Sequence, residues 1–147
     1  MPCLTFTLSA QGPCVDVVVA VSRPRHEALI AAGQTPPNPI QVRGLLDTGA
    51  TGTVIDADII AKLGVTPTGS IPCHTPSTKD GAPVEMRQFD VALGLFHPAG
   101  VNGALIINPI SVTESRLAHQ GFQTLIGRDI LAVCLFVFNG SHFSIAF

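Results

Sequence analysis

Short apolar runs rich in Val, Ile and Phe recur along the chain between Gly, Pro and Asn residues. That pattern predicts a succession of short strands. They fall near residues 3–8, 14–22, 40–46, 52–55, 69–75, 83–95, 103–112, 133–138 and 142–147. Asn139-Gly140, between the last two, predicts a two-residue hairpin turn. One helix is predicted over Ala57 to Leu63, with Asp56 as N-cap, Ile59, Ile60 and Leu63 on one face and Gly64 just past the end. Shorter helical stretches are expected at Arg23 to Ala32 and at Glu114 to Gln120. The Pro-rich stretch Thr35 to Pro39 leads at once into a core strand, so it reads as a loop rather than a linker. The expectation is an all-β domain spanning 1–147, mainly β with one to three short helices.

Composition narrows the function classes. Of 147 residues, 46% are hydrophobic and 12% charged, against roughly 25% charged in an ordinary soluble domain. Lys and Arg number 8 against 10 Asp and Glu, for a net charge of −2. No basic footprint exists for a phosphate backbone or an anionic membrane, so neither nucleic acid nor membrane is an expected partner. The mean hydropathy of +0.44 raises the question of a membrane span. The longest apolar run, Ile130 to Phe138, is about half of the roughly 18–20 residues such a helix needs. The first residues have neither the basic head nor the apolar length of a secretory signal, which makes a cytoplasmic location the expectation. Cys3, Cys14, Cys73 and Cys134 form no CxxC pair and the 5 His show no metal-ligand spacing. Buried or half-buried thiols, no metal and no cofactor are expected.

The chemistry is concentrated in Val42 to Ile55, where an apolar strand runs into Asp47-Thr48-Gly49-Ala50-Thr51 and the chain then becomes apolar again. Such a turn presents one carboxylate at the end of a buried strand. Gly49 is expected there for unusual backbone angles and close approach. A second apolar strand, Thr124-Leu125-Ile126, ends in Gly127-Arg128-Asp129 and enters a short helical turn. Arg128 and Asp129 read on their own as a solvated turn and an N-terminal helix charge.

Taken together, Leu46-Asp47-Thr48-Gly49-Ala50 and Leu125-Ile126-Gly127-Arg128-Asp129 resemble the two paired motifs of the retropepsin-like aspartic proteases, the single-domain family of retroviral-type proteases. Glu85 to Asp90 is similar to the strand that follows the flap in that family, which places a flap over Ile71 to Pro83 with Asp80-Gly81 at its tip. The resemblance runs from about Ile40 to Asn139, with extra length in Arg23 to Pro39 and Glu114 to Gln120. It implies a closed barrel-like acid-protease fold, a homodimer with flap hairpins, and hydrolysis of peptide or protein substrates. Asp47 is then catalytic, and Thr48, Gly49, Ala50, Leu125, Ile126, Gly127 and Arg128 support the site. Thr51, Val54, Ile71, Thr78, Lys79, Asp80, Gly81 and Val84 are expected to contact substrate, with Val54, Ile126, Ile71 and Val84 as apolar subsite walls.

One departure stands out. Where retroviral members commonly carry an acid paired with the motif Arg, this chain has Thr51, so Arg128 needs another partner. Cys73 and His74 lie in the flap without a partner at catalytic spacing. Peptide hydrolysis of this kind uses two carboxylates sharing one proton and one water. Asp16, Asp56, Asp58, Asp80, Asp90 and Asp129 all lack the strand-end glycine turn. The second carboxylate is therefore expected from Asp47 of another copy, across a two-fold axis, at mildly acidic pH. The terminal strands, with Phe6, Phe143 and Phe147 as anchors, are the expected interface. The alternative is a dimeric peptide-binding or assembly module of the same fold with weak or no proteolysis.

Overall fold

The computed structural model describes residues 1–75, 81–97, 99–100 and 103–147. The first half of the chain forms β1 (Cys3–Thr7), β2 (Cys14–Val21), α1 (Arg23–Ala31), β3 (Ile40–Leu46), β4 (Val54–Asp56) and α2 (Ala57–Leu63). The second half forms β5 (Gly69–Cys73), β6 (Val84–Phe96), β7 (Ala104–Ser115), β8 (Thr124–Ile126), α3 (Arg128–Leu131), β9 (Leu135–Phe138) and β10 (His142–Ala146). A 3-10 turn, Ala118–Gln120, precedes β8.

The strands are ordered β2-β3-β8-β4-β7-β6, and β6 pairs back onto β2 to close a six-stranded barrel. Closure leaves those strands without free edges, which suits a sequence so poor in charge. Along β2, alternate residues Val15, Val17, Val19 and Val21 are buried; along β6, so are Phe89, Val91, Leu93 and Leu95. Except for Val21, these two rows meet Ile55, Ile126 and Val112 in the core. No helix among the described residues is long and apolar enough to cross a membrane.

β6 is long enough to serve two neighbours on the same side. Its second half pairs with β2 and its first half, through Val84 to Gln88, pairs with β5 in a hairpin that projects from the barrel. A separate three-stranded sheet, ordered β1-β10-β9, is made from the two ends of the chain. Its inner face, Leu4, Phe143 and Ile145, packs into the same core.

Several expectations change. Glu114 and Ser115 are strand rather than helix, because β7 continues until it has paired in parallel with β4. Only Ala118–Gln120 turns helically. The last hairpin turns at Gly140-Ser141, one residue later than predicted, since Asn139 pairs with His142 and its side chain takes the His142 amide at 2.8 Å. Gly140, with φ 91°, then occupies the first turn position. Phe143 is 1% exposed and stacks on Phe6 inside its own chain, with ring centroids 5.1 Å apart, so it is no interface anchor. Phe6 and Phe147 are also partly buried against that core. Cys3 is exposed rather than buried.

The extra segment after β2 lies well away from Asp47. β2 and β3 pair from Cys14 with Leu45 to Val19 with Ile40. α1 and the Pro-rich loop connect them at the Val19 end, roughly 17 Å of strand from the end that carries Asp47. There the Arg23 amide donates to Asn108 Oδ1 at 2.8 Å.

Candidate active site

β8 lies between β3 and β4, parallel to the first and antiparallel to the second. The strand of the second motif is thus inserted between the strand that enters the Asp-Thr-Gly turn and the strand that leaves it. Asp47 follows β3 directly, half-buried, and its amide donates to the Ile126 carbonyl at 2.9 Å. Its Oδ1 accepts the Gly49 amide at 2.9 Å, and its carbonyl accepts the Ala50 amide at 3.2 Å. Among the described residues nothing donates to Oδ2. Gly49 relieves crowding rather than supplying a positive φ: a Cβ there would sit 3.1 Å from Asp47 Oδ1, so the carboxylate would have to give by a few tenths of an ångström.

The two motif loops are stitched together beyond Asp47. The Arg128 amide donates to the Ala50 carbonyl at 3.0 Å, and the Arg128 guanidinium donates to Thr51 Oγ1 at 3.2 Å. The hydroxyl of Thr51 thereby takes the place of the missing acid. Gly127 crosses directly over Gly52, where a Cβ would come within 2.5 Å of the Gly52 carbonyl. No other residue fits that crossing without moving the backbone.

Thr53 and Asp129 complete the clamp; Thr53 was not singled out from the sequence, and Asp129 was read there as the last residue of the second motif and a helix N-terminal charge. Asp129 Oδ2 accepts the Thr53 amide and Oδ1 accepts the Thr53 hydroxyl, both at 2.8 Å. Thr53 Oγ1 accepts the Gly127 amide at 3.2 Å. The available signal was Thr53 itself, a polar residue at the head of the apolar run Val54-Ile55. Thr53 is 1% exposed, so its polar atoms depend on these partners.

Asp56, the expected N-cap of α2, accepts the Asp58 amide at 3.0 Å. It also receives the Leu117 and Ala118 amides at 2.7 and 2.9 Å on Oδ2. Burial pushes its carboxyl pKa up, but these three donors, helped by the Arg116 charge, outweigh burial and hold it below the usual value. Its carboxylate is committed to backbone amides, which makes Asp56 a structural tie.

Comparison with known families matches residues 37–130 to the aspartyl proteases. The chain belongs to the aspartyl protease family. The matched span contains both motif loops and the whole β5–β6 hairpin. Among solved structures the fold is similar to a retropepsin-like aspartic protease from Rickettsia conorii, with a TM-score of 0.56 at 10% identity over 97% of this chain and 89% of that one. A retroviral protease-like domain of Ddi1 from Leishmania major superposes with a TM-score of 0.37 at 13% identity, covering 87% of this chain and 82% of that one. No curated protein sequence matches. The chain is thus an aspartyl protease family member with a retropepsin-like fold.

The remaining expected site residues separate into three groups. Thr48 and Thr51 are exposed beside Asp47, and among the described residues the Thr48 hydroxyl makes no hydrogen bond. Leu125 and Val54 are half-buried neighbours across β8 and β4, whereas Ile126 is wholly buried. Ile126 therefore supports the floor and cannot form a subsite wall. The β5–β6 hairpin has two unlike faces. Pairing of Ile71 with Met86 and of Cys73 with Val84 makes one face apolar; pairing of Ser70 with Arg87 and of Pro72 with Glu85 makes the other polar. Gly81, with φ 68°, is exposed close to the tip. Thr78, Lys79 and Asp80 lie outside the described residues. Arg87 pairs with Glu114 at the base of the hairpin, beside a cleft of about 410 Å³ that is lined by Val84 to Arg87 and by no residue of the two motif loops. Among the described residues no cluster of His, Cys, Asp and Glu could hold a metal ion.

Proposed function

We propose that this chain is an aspartic endopeptidase whose active unit contains two copies, each supplying one Asp47. The observation that carries the reading is the clamped strand-end turn: Asp47 is fixed through its backbone to Ile126 and through Oδ1 to Gly49, while Oδ2 is left without a donor among the described residues. A carboxylate held in this way can share a proton with its symmetry mate, since two like charges about 3 Å apart do not both ionise. The ionised member then takes a proton from the attacking water, and the protonated member polarises the scissile carbonyl. Thr48, exposed and without an intrachain partner among the described residues, fits a contact across the axis.

The apolar face of the β5–β6 hairpin, Ile71, Val84 and Met86, supports extended substrates with apolar residues flanking the cleaved bond. Main-chain pairing to the hairpin would hold such a peptide in register. The test compares cleavage of a peptide library between pH 4 and 7 by the wild type and by Asp47→Asn, with and without a peptidomimetic aspartic-protease inhibitor. Inhibitor-sensitive cleavage is expected from the wild type and a loss of at least about 1,000-fold from the variant, which removes a group acting only in the chemical step. Cleavage that persists in the variant refutes the assignment. No cleavage by a dimeric wild type points instead to a binding or assembly module.

A further inference from the structure

The two motif loops carry a positive charge that no carboxylate among the described residues pairs with. Arg128 is exposed, and its guanidinium donates to the Thr51 hydroxyl at 3.2 Å. A guanidinium has five N–H donors in a planar fork. The ion pairs among the described residues are Arg23 with Glu27 and Arg87 with Glu114. Asp129, the next residue in sequence, has both carboxylate oxygens on Thr53. From Thr48 to Ile55 the loop bonded to Arg128 contains no charged residue. Thr51 therefore supplies the hydrogen bond that an acid would make at its position, but not the charge.

This cation is held close to the candidate reacting group. The bond from the Ala50 amide to the Asp47 carbonyl closes a four-residue turn, which keeps the two Cα atoms within about 7 Å. Thr51 follows one residue later, and the Arg128 amide is fixed to the Ala50 carbonyl at 3.0 Å. Adding about 3.8 Å for that residue places the Thr51 Cα no more than about 11 Å from that of Asp47. An extended peptide covers this in about three residues, at roughly 3.3 Å each.

We propose that Arg128 is a specificity-determining residue that binds a substrate carboxylate, either an Asp or Glu side chain about three residues from the cleaved bond or the C-terminal carboxylate of the peptide. The contact is a charge-assisted fork, roughly twice as strong as a neutral hydrogen bond. An acid at position 51 would occupy the guanidinium and repel a second carboxylate; the Thr51 hydroxyl does neither. The inference rests on the protease reading for the position of the cleaved bond, and adds an acidic preference outside the apolar residues that flank it. With two copies in the active unit there are two such guanidinia, so the preference is expected on both sides of that bond.

The test is binding of fluorescent peptides, read by anisotropy at pH 6, to the full chain carrying Asp47→Asn, so that affinity is measured without turnover. The peptides have amidated ends and carry Glu or Gln at one of the four positions on either side of an apolar pair. A neutral peptide with a free C-terminal carboxylate separates the chain end from a side chain. The better of the two carboxylates is expected to bind at least about 10-fold more tightly than its neutral counterpart. Adding Arg128→Gln or Thr51→Asp is expected to cut that preference below about 2-fold, and Arg128→Lys, which keeps the charge without the fork, to leave part of it. The preference should also fade below about pH 4, where the peptide carboxylate is protonated. Circular dichroism verifies each fold, and Thr51→Asp, at an exposed position, serves if Arg128→Gln does not fold. Equal binding of acidic and neutral peptides, a preference that survives either variant, or no binding of any peptide would each overturn the proposal. A preference that Arg128→Gln removes, in a chain whose wild type cleaves nothing, upholds the carboxylate site and refutes the protease reading. Cleavage by the wild type without the preference does the reverse.

Discussion

Asp129 holds Thr53 with both carboxylate oxygens, and Thr53 passes the constraint on to the Gly127 amide. Asp129→Ala strands a buried amide and a buried hydroxyl at Thr53. A loss of about 2–3 kcal/mol is expected, read from urea unfolding. Asp129→Asn retains one acceptor and should recover part of that loss; an unchanged midpoint in the Ala variant would show the clamp to be dispensable. Asp47 was legible in the sequence because its signal is local, an apolar strand running into Asp-Thr-Gly. The role of Asp129 was not, because its partner lies 76 residues away and a short helix start explains an acidic residue equally well. Thr51, expected to contact substrate, is 77 residues from Arg128, and their contact likewise has no local signal.

α2 was legible to the residue, since Asp56, the apolar face and Gly64 are all local signals. β7 was not, because Glu114 to Gln120 contains good helix formers and only pairing with β4 draws Glu114 and Ser115 into the sheet. Asp56 couples these two elements by joining the start of α2 to the backbone after β7. Its folded pKa lies below the unfolded value of about 3.9. The stability it contributes is therefore fully present above about pH 5 and is lost as the pH falls through the unfolded value towards the folded one. Asp56→Ala is expected to be less stable than the wild type at pH 7 and to decline less steeply between about pH 5 and 2 in urea titrations. Parallel declines would mean that Asp56 is not a source of acid sensitivity. β9 was predicted as a strand, but its edge position depends on the pairing of β1 with β10, which no local pattern discloses.

In the whole molecule, the barrel separates the excursion after β2 from the end that carries Asp47. Gln34 and Thr35 are exposed in that excursion. Three or four Gly and Ser residues inserted between them are expected to change unfolding free energy by no more than about 1 kcal/mol and to leave any peptide cleavage intact. Loss of cleavage with unchanged stability would place the excursion at the substrate. A closed β domain was legible from the run of short strands and the paired motifs, but the sharing of β6 between barrel and hairpin was not. That sharing makes the hairpin a cantilever. The 13 residues of β6 are gripped by β5 as far as Gln88 and by β2 from Val91 onward. Between those grips only β7 holds the strand, pairing Phe89 with Val112 and Asp90 with Ser111. Bending of the beam is concentrated at these two residues. The Ser111 hydroxyl, 2.6 Å from Asp90 Oδ1, and the Arg87 guanidinium, 5.6 Å from the Phe89 ring centre, are placed to damp it.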